Sequence, residues 1–334
     1  GRPIWVKGNK DFGLTRGGIT PRIGASVLNL YNSDRLRGPV NAGSSVSWTD
    51  ADADIKAKLK AVADRGGKVR ILSNTIISPS TNLVINDFIG SLGGEVAEMG
   101  APVVAPIVSD STDAIVTPII ADVTGVDVET VSANNADVKH IQYDAVSYSA
   151  MRKANEESFG KAVIPAYDFS RAKAVVSIDA DFMANWLMHT KYNVDYAETR
   201  NPEKRADGDQ WMSKHFHFES VMSLTGANAD SRCPIKPSEQ SAVAAAILKH
   251  IGGKDLGIAV SDEIDAYAAK AADKLKEHKG ESLVVAGAND KGVQVIVNAI
   301  NNTLNNYGKT IDLDNEIYLK QADDALVKEL VNDV

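Results

Sequence analysis

Twice in the N-terminal third, an amphipathic helix pattern gives way, across a pair of glycines, to a short run of buried-strand residues. No other feature constrains the fold as much. Asp50 to Arg65 carries Ile55, Leu59 and Val62 at i, i+4 and i+7, with Thr49 or Asp50 placed to cap the first turn and Gly66-Gly67 to end the last. Lys68 to Ser73 follows with Val69, Ile71 and Leu72 as a buried strand. A second helix, from about Ser80 to Leu92 and closed by Gly93-Gly94, leads into a second strand from Ala101 to Val108. Alternation of this kind builds parallel sheets, because each helix carries the chain back to start the next strand in the same direction.

The pattern returns downstream. Tyr148 to Phe159 reads as a helix and Lys173 to Ile178 as a strand; Ser238 to Ile251 is an Ala-rich helix. Ser261 caps a helix with Ile264, Tyr267, Ala268, Ala271 and Leu275 on one face. Ser282 to Ala286 is a strand, and Asn289 or Asp290 opens a helix with Val293, Ile296, Val297, Ile300 and Leu304. Elsewhere the signal is weaker. Residues 1–8 alternate as a strand would, Ala25 to Leu30 fits a short helix, and 110–147 has no clear period. The polar stretch 192–216 reads as a surface excursion, and the acidic segment from Ile311 onward holds one short helix; both are candidate contact surfaces. The expected organisation is an N-terminal segment and connector at 1–48, one α/β lobe at 49–170 and a second α/β region at 171–334.

Composition then removes whole classes of function. The 334 residues are 44 % hydrophobic and 24 % charged, which suits two globular α/β lobes. The single cysteine, Cys233, excludes an intrachain disulfide, a four-cysteine zinc site and a cysteine-held iron–sulfur cluster within these residues. A net charge of −8 without a long basic run disfavours nucleic acid. No stretch approaches the about 20 apolar residues of a membrane span, the nearest being the short run at Ala242 to Ile247. The opening on Gly1-Arg2-Pro3-Ile4-Trp5, with neither an initiator Met nor a signal segment, reads as a processed or excised piece of a longer protein.

Few motifs carry chemistry. G-x-G-x-x-G and G-x-S-x-G do not occur, and Gly308-Lys309-Thr310 lacks the upstream glycine of a phosphate loop. A Ser/His/Asp triad assembled from distant residues stays open. His215, His217 and Glu219 share one face if their segment is a strand, the most suggestive metal-ligand pattern in the chain. Phe216 and Phe218 on the other face equally describe any half-buried strand. Asp50, Asp52 and Asp54 mimic a calcium loop, but Ile55 stands where its glycine belongs, so they read as acids favouring a helix N-terminus. Cys233 is a candidate nucleophile or, more simply, a small buried apolar side chain.

Four groups of strings carry a family resemblance. Gly1-Arg2-Pro3-Ile4-Trp5-Val6-Lys7-Gly8-Asn9, with Arg16-Gly17-Gly18, Arg22, Ala25-Ser26-Val27-Leu28, Leu30-Tyr31, Arg35-Leu36 and Gly38-Pro39, resembles the start of the molybdopterin oxidoreductase superfamily. Phe159-Gly160 through Pro165 and Tyr167, with Val175-Val176-Ser177-Ile178-Asp179-Ala180-Asp181-Phe182, resembles its second segment. The most specific is Phe218-Glu219-Ser220 with Ser223-Leu224-Thr225-Gly226-Ala227-Asn228-Ala229-Asp230, running to Pro237-Ser238-Glu239. The fourth is Leu283-Val284-Val285-Ala286-Gly287 with Asn298-Ala299-Ile300-Asn301, Leu304 and Gly308-Lys309-Thr310.

Within the superfamily these strings are most similar to the large iron–sulfur subunit of bacterial alternative complex III, in its molybdopterin-enzyme-like half. The resemblance implies α/β, molybdopterin-oxidoreductase-like lobes with Rossmann-like, mostly parallel sheets flanked by helices. It implies a cofactor-free structural lobe without catalytic residues, with [4Fe–4S] and [3Fe–4S] clusters in a downstream ferredoxin-like part. The implied partners are c-type haem subunits, an integral-membrane quinol-binding subunit and a terminal oxidase, at the periplasmic face of the inner membrane. Thr20 stands where catalytic relatives carry a cysteine ligand to a cluster, and a neutral hydroxyl does not replace a thiolate on iron. The alternative is a fragment of an active molybdenum or tungsten bis-pterin oxidoreductase.

Overall fold

The computed structural model describes residues 2–94, 137–201, 203 and 211–333. In chain order, helix α1 (Pro21–Ala25) and a 3-10 turn (Ser26–Tyr31) precede strands β1 (Val40–Asn41) and β2 (Ser44–Ser45), then helix α2 (Trp48–Asp64), β3 (Lys68–Ser73), α3 (Pro79–Ser91) and β4 (Asp137–Gln142). There follow α4 (Ser149–Phe159), β5 (Ala166–Tyr167), β6 (Ala174–Ile178), α5 (His189–Thr199), β7 (Lys214–Glu219), α6 (Leu224–Ala227) and β8 (Ser231–Pro234). The chain closes with α7 (Gln240–His250), α8 (Asp262–Glu277), β9 (Ser282–Ala286), α9 (Lys291–Thr303), β10 (Ile311–Asp312) and α10 (Asp324–Asp333). The fold is α/β with parallel sheets flanked by helices, as the sequence pattern implies.

Two compact units divide the chain, one of 1–35 with 144–322 and one of 36–143 with 323–334. The expected boundaries after residues 48 and 170 fall elsewhere, because the second unit is closed by the C-terminal helix, a long-range return that local composition does not mark. In that unit β3 and β4 pair in parallel from Lys68 opposite Asp137 to Ser73 opposite Gln142. Ala63, Ile89, Leu92 and Val138 form its small core. Arg70 bridges Asp137 at 2.6 Å and Asp333 at 2.7 Å, Lys68 reaches Asp333 at 2.6 Å, and Lys139 reaches Glu329 at 2.5 Å. Asp333 and Glu329 of the C-terminal segment thus pair with basic residues of their own unit.

The larger unit is built on a four-stranded sheet in the order β8-β7-β6-β9, every neighbouring pair parallel. Side chains alternate across a strand, so one sequence feeds two cores. Ala174, Val176, Ile178, Phe216, Phe218, Cys233, Val284 and Ala286 face helices α7, α8 and α9. Val175, Leu283 and Val285 face the other way, onto an aromatic layer that includes Phe169, Phe182, Trp186, Tyr192 and Tyr196. The apolar run Ala242 to Ile247 lies in α7 and is buried throughout, consistent with a helix covered on both sides. Among the described residues no helix is long and apolar enough to cross a membrane.

Several expected elements shift. Helix α2 begins earlier than Asp50, because the Ser47 hydroxyl accepts from the Asp50 amide at 3.1 Å and caps the helix in place of Thr49 or Asp50. Residues 2–8 form no strand, since none of the described strands pairs with them. The described residues of the polar stretch 192–216 do not form the expected surface excursion: they continue α5 and enter β7, with Tyr192, Asp195, Tyr196 and Thr199 buried, while 202 and 204–210 lie outside the described residues. The expected strand Ala101 to Val108 lies outside the described residues.

Candidate functional site

The opposite face of the sheet from Phe216 and Phe218 carries polar groups where an apolar layer would be the rule. β7 is an interior strand, so His215, His217 and Glu219 are flanked by Ser177 on β6 and Arg232 on β8. Ser177 and His215 are wholly buried, and His217 and Glu219 nearly so. Burial on this scale is tolerated only when each group finds a partner. Here the partners form a single row. Tyr196 Oη lies 3.0 Å from the Asn228 carbonyl and 3.1 Å from His215 Nδ1. His215 Nε2 lies 2.8 Å from Ser177 Oγ, which also contacts His217 Nδ1. His217 Nε2 meets Glu219 Oε2 at 2.9 Å, and Glu219 Oε1 accepts from Arg232 Nε at 2.5 Å.

Counting protons sets the direction of the row. The Asn228 carbonyl and the ionised Glu219 carboxylate, at its two ends, bring none, whereas Tyr196, neutral His215, Ser177 and neutral His217 bring one each. Five contacts therefore share four protons. The gap falls at the Tyr196 end of the row, where one hydroxyl proton faces two acceptors, the Asn228 carbonyl and His215 Nδ1. The inner donors then point toward Glu219: His215 Nε2–H to Ser177, Ser177 to His217, and His217 Nε2–H to the carboxylate. The electrostatics agree with this assignment. Burial pushes His215 well below the usual imidazole range, and it also lowers His217 against the opposing pull of Glu219. Burial works to raise Glu219, but its bonds from Ser223 and Arg232 outweigh that and hold it below the usual carboxylate range. Burial raises Tyr196 to about 12, keeping its proton on.

The surroundings lock this row. Asp230 receives Arg200 at 2.8 and 3.0 Å and the His215 amide at 2.8 Å, joining the end of α5 to β7 and β8. The Ser223 amide donates to Glu219 Oε2 at 2.9 Å. Gly226 in α6 packs so closely that a Cβ there would lie 1.9 Å from Glu219 Oε1. Ser177, His217 and Glu219 have the connectivity of a hydrolytic triad, yet the Ser177 oxygen is sealed and hydrogen-bonded on both sides. A nucleophile must present that oxygen to a substrate.

In open α/β sheets ligands favour the carboxyl ends of the strands where strand order reverses, here between β6 and β9. That edge carries Asp179, Asp181, Glu219 and Asp290. Asp179 has φ of 51° and accepts from Gln240 at 2.6 Å, while Asp181 accepts from the Thr225 hydroxyl at 2.6 Å. A Cβ on Gly287 would lie 2.1 Å from the Asp179 carbonyl, so the two strand-end loops touch directly. The N-terminus of α9, the natural phosphate seat, is capped by the Asp290 carboxylate at 2.9 Å from the Val293 amide. Packed, carboxylate-lined loops are a poor match for the pyrophosphates of a bis-pterin nucleotide cofactor.

The other sequence candidates have local roles. Thr20 Oγ1 caps α1, accepting from the Ile23 amide at 3.2 Å. Thr20→Ala is expected to cost about 1 kcal/mol, read as a lower urea midpoint with no change in bound iron. Asp50 accepts from Ser47 at 2.7 Å and Asp54 from Lys58 at 2.6 Å. Cys233 is a buried apolar contact whose thiol burial pushes up, away from the reactive thiolate. In the Gly308-Lys309-Thr310 turn, the Thr310 hydroxyl donates to the Ser282 carbonyl at 2.7 Å. Among the described residues no group of three or more His, Cys, Asp or Glu is arranged to hold a metal ion. The strand pattern exposed His215, His217 and Glu219 as a shared face. Ser177, Tyr196 and Arg232 carried no signal of their own, because their partners lie on other elements.

No protein-family model matches the chain, and no curated protein sequence matches it. By structure it is similar to acetylene hydratase from Pelobacter acetylenicus, with TM-score 0.53 and 12 % identity over 90 % of this chain. The chain spans 40 % of the length of that protein. At this identity the likeness is one of fold alone.

Proposed function

We propose that this chain is a cofactor-free structural and docking lobe of the large iron–sulfur subunit of a bacterial alternative complex III. It would sit at the periplasmic face of the inner membrane, in an assembly that oxidises quinol and passes electrons to a cytochrome c or an oxidase. The [4Fe–4S] and [3Fe–4S] clusters belong in this reading to a ferredoxin-like part of the same subunit. This lobe would hold that part against the c-type haem subunits, the quinol-binding membrane subunit and a terminal oxidase. The observation that carries the reading is the internally satisfied sheet face: the conspicuous polar groups bond one another behind packed, acid-lined loops. An inherited enzyme scaffold retains its core while its cleft closes.

Metal and pterin analysis of the intact purified complex tests this. Iron without molybdenum, tungsten or pterin is the expected result. Stoichiometric molybdenum or tungsten with pterin would overturn the reading in favour of an active bis-pterin oxidoreductase.

A further inference from the structure

The N-terminal segment differs from the rest of the chain in charge and in the placement of its apolar side chains. Residues 1–35 hold six cations against Asp11 and Asp34, although the whole chain has a net charge of −8. Ile4 is 81 %, Trp5 73 % and Leu28 65 % exposed, and Phe12, Leu30 and Tyr31 are also exposed. Singly exposed apolar residues need no explanation, but this many along one short segment do. The Tyr31 hydroxyl donates to the Pro3 carbonyl at 2.5 Å, which brings the Ile4-Trp5 strip beside the exposed 3-10 turn of Leu28, Leu30 and Tyr31.

The segment is also fixed in place. Arg16 bridges Asp195 on α5 at 2.6 Å, and a Cβ on Gly18 would lie 3.0 Å from Val194. Arg2, Lys7, Lys10 and Arg22 have no ion-pair partner among the described residues, so their charge is available outward.

We propose that this segment is a contact for a bilayer surface carrying anionic headgroups. Exposed Trp and Tyr pair an apolar ring with a polar edge and suit the headgroup boundary, while neighbouring Lys and Arg answer the negative surface. Interleaving of the two along an irregular backbone fits a fluid surface, which takes side chains by depth, better than a fixed protein surface, which demands matching shape. The contact is independent of the assembly role proposed above and needs no metal or cluster.

The test is co-sedimentation of the 334-residue chain with vesicles of phosphatidylglycerol and phosphatidylcholine in equal parts, and with phosphatidylcholine alone. Binding to the anionic vesicles, weakened by salt and accompanied by a blue shift of tryptophan emission, is the expected result. Each cation near such a surface is worth about fivefold in affinity, so Lys7→Gln with Lys10→Gln should weaken binding about 25-fold. Trp5→Ser should remove the blue shift. These side chains are exposed, and circular dichroism checks that the variants stay folded. Absence of vesicle binding, equal binding to neutral vesicles, or variants that bind like the parent would overturn the proposal, and would assign the segment to a protein partner.

Discussion

Glu219→Ala is expected to lower the stability of the sheet-bearing unit by about 3 kcal/mol, the cost of removing one member of a buried ion pair. The carboxylate is 1 % exposed and accepts from Arg232, the Ser223 amide and, by the proton count, His217. Truncation leaves two of these donors buried without an acceptor, and the gap beside Gly226 is walled by the short helix that now abuts the carboxylate. In a thermal melt this is a fall of about 10 °C. Arg232→Met, made together with Glu219→Leu, removes the charge pair as a unit and should cost less than Glu219→Ala alone. A loss under about 1 kcal/mol for Glu219→Ala would mean that water reaches the donors, and the closed-row description would be wrong.

How far the sequence reveals this arrangement depends on which physical signal each element leaves. Strands β3, β6 and β9 and helices α8 and α9 are apolar at the spacing of their own period, so they are legible from one sequence. Strand β7 reads Lys-His-Phe-His-Phe-Glu, apolar on one face only, and α5 turns Tyr192, Asp195, Tyr196 and Thr199 inward. Their buried faces carry polar groups, most of them hydrogen-bonded, as Asp195 is to Arg16 and Lys191, and Thr199 to the Tyr196 carbonyl, and a hydropathy pattern registers them as solvent-facing. The row itself joins residues 19, 38 and 40 positions apart, a juxtaposition set by the parallel register and by nothing local. What the sequence does show is the two-residue spacing of His215, His217 and Glu219. The same spacing serves a metal site and a hydrogen-bonded row, and Ser177 between the two imidazoles is what decides for the row.

Acidification should unfold this unit early, and the histidines set where. His215 and His217 are buried neutral, with folded pKa values lowered below the about 6.5 of an unfolded imidazole. For groups shifted in this direction the unfolded chain binds more protons below that value. Their contribution is therefore complete at neutral pH and is lost as pH falls below about 6.5, continuing until the folded values are reached. With both unfolded rings protonated, the loss is about 2.7 kcal/mol per pH unit. The charges of Asp179 and Asp181 on His217, and of Asp230 on His215, moderate the shifts without reversing them, while Arg200 and His217 deepen that of His215. Glu219 and Asp230, both lowered, add losses of the same sign only in the acid range of carboxylates. Urea unfolding between about pH 7.5 and about pH 5 measures the slope. His215→Gln removes one titrating ring and should reduce it by about 1.4 kcal/mol per pH unit. A slope unchanged in that variant, or stability that rises as pH falls below about 6.5, would show that the imidazoles are held charged. With one imidazole charged the row would be full, with five protons for five contacts.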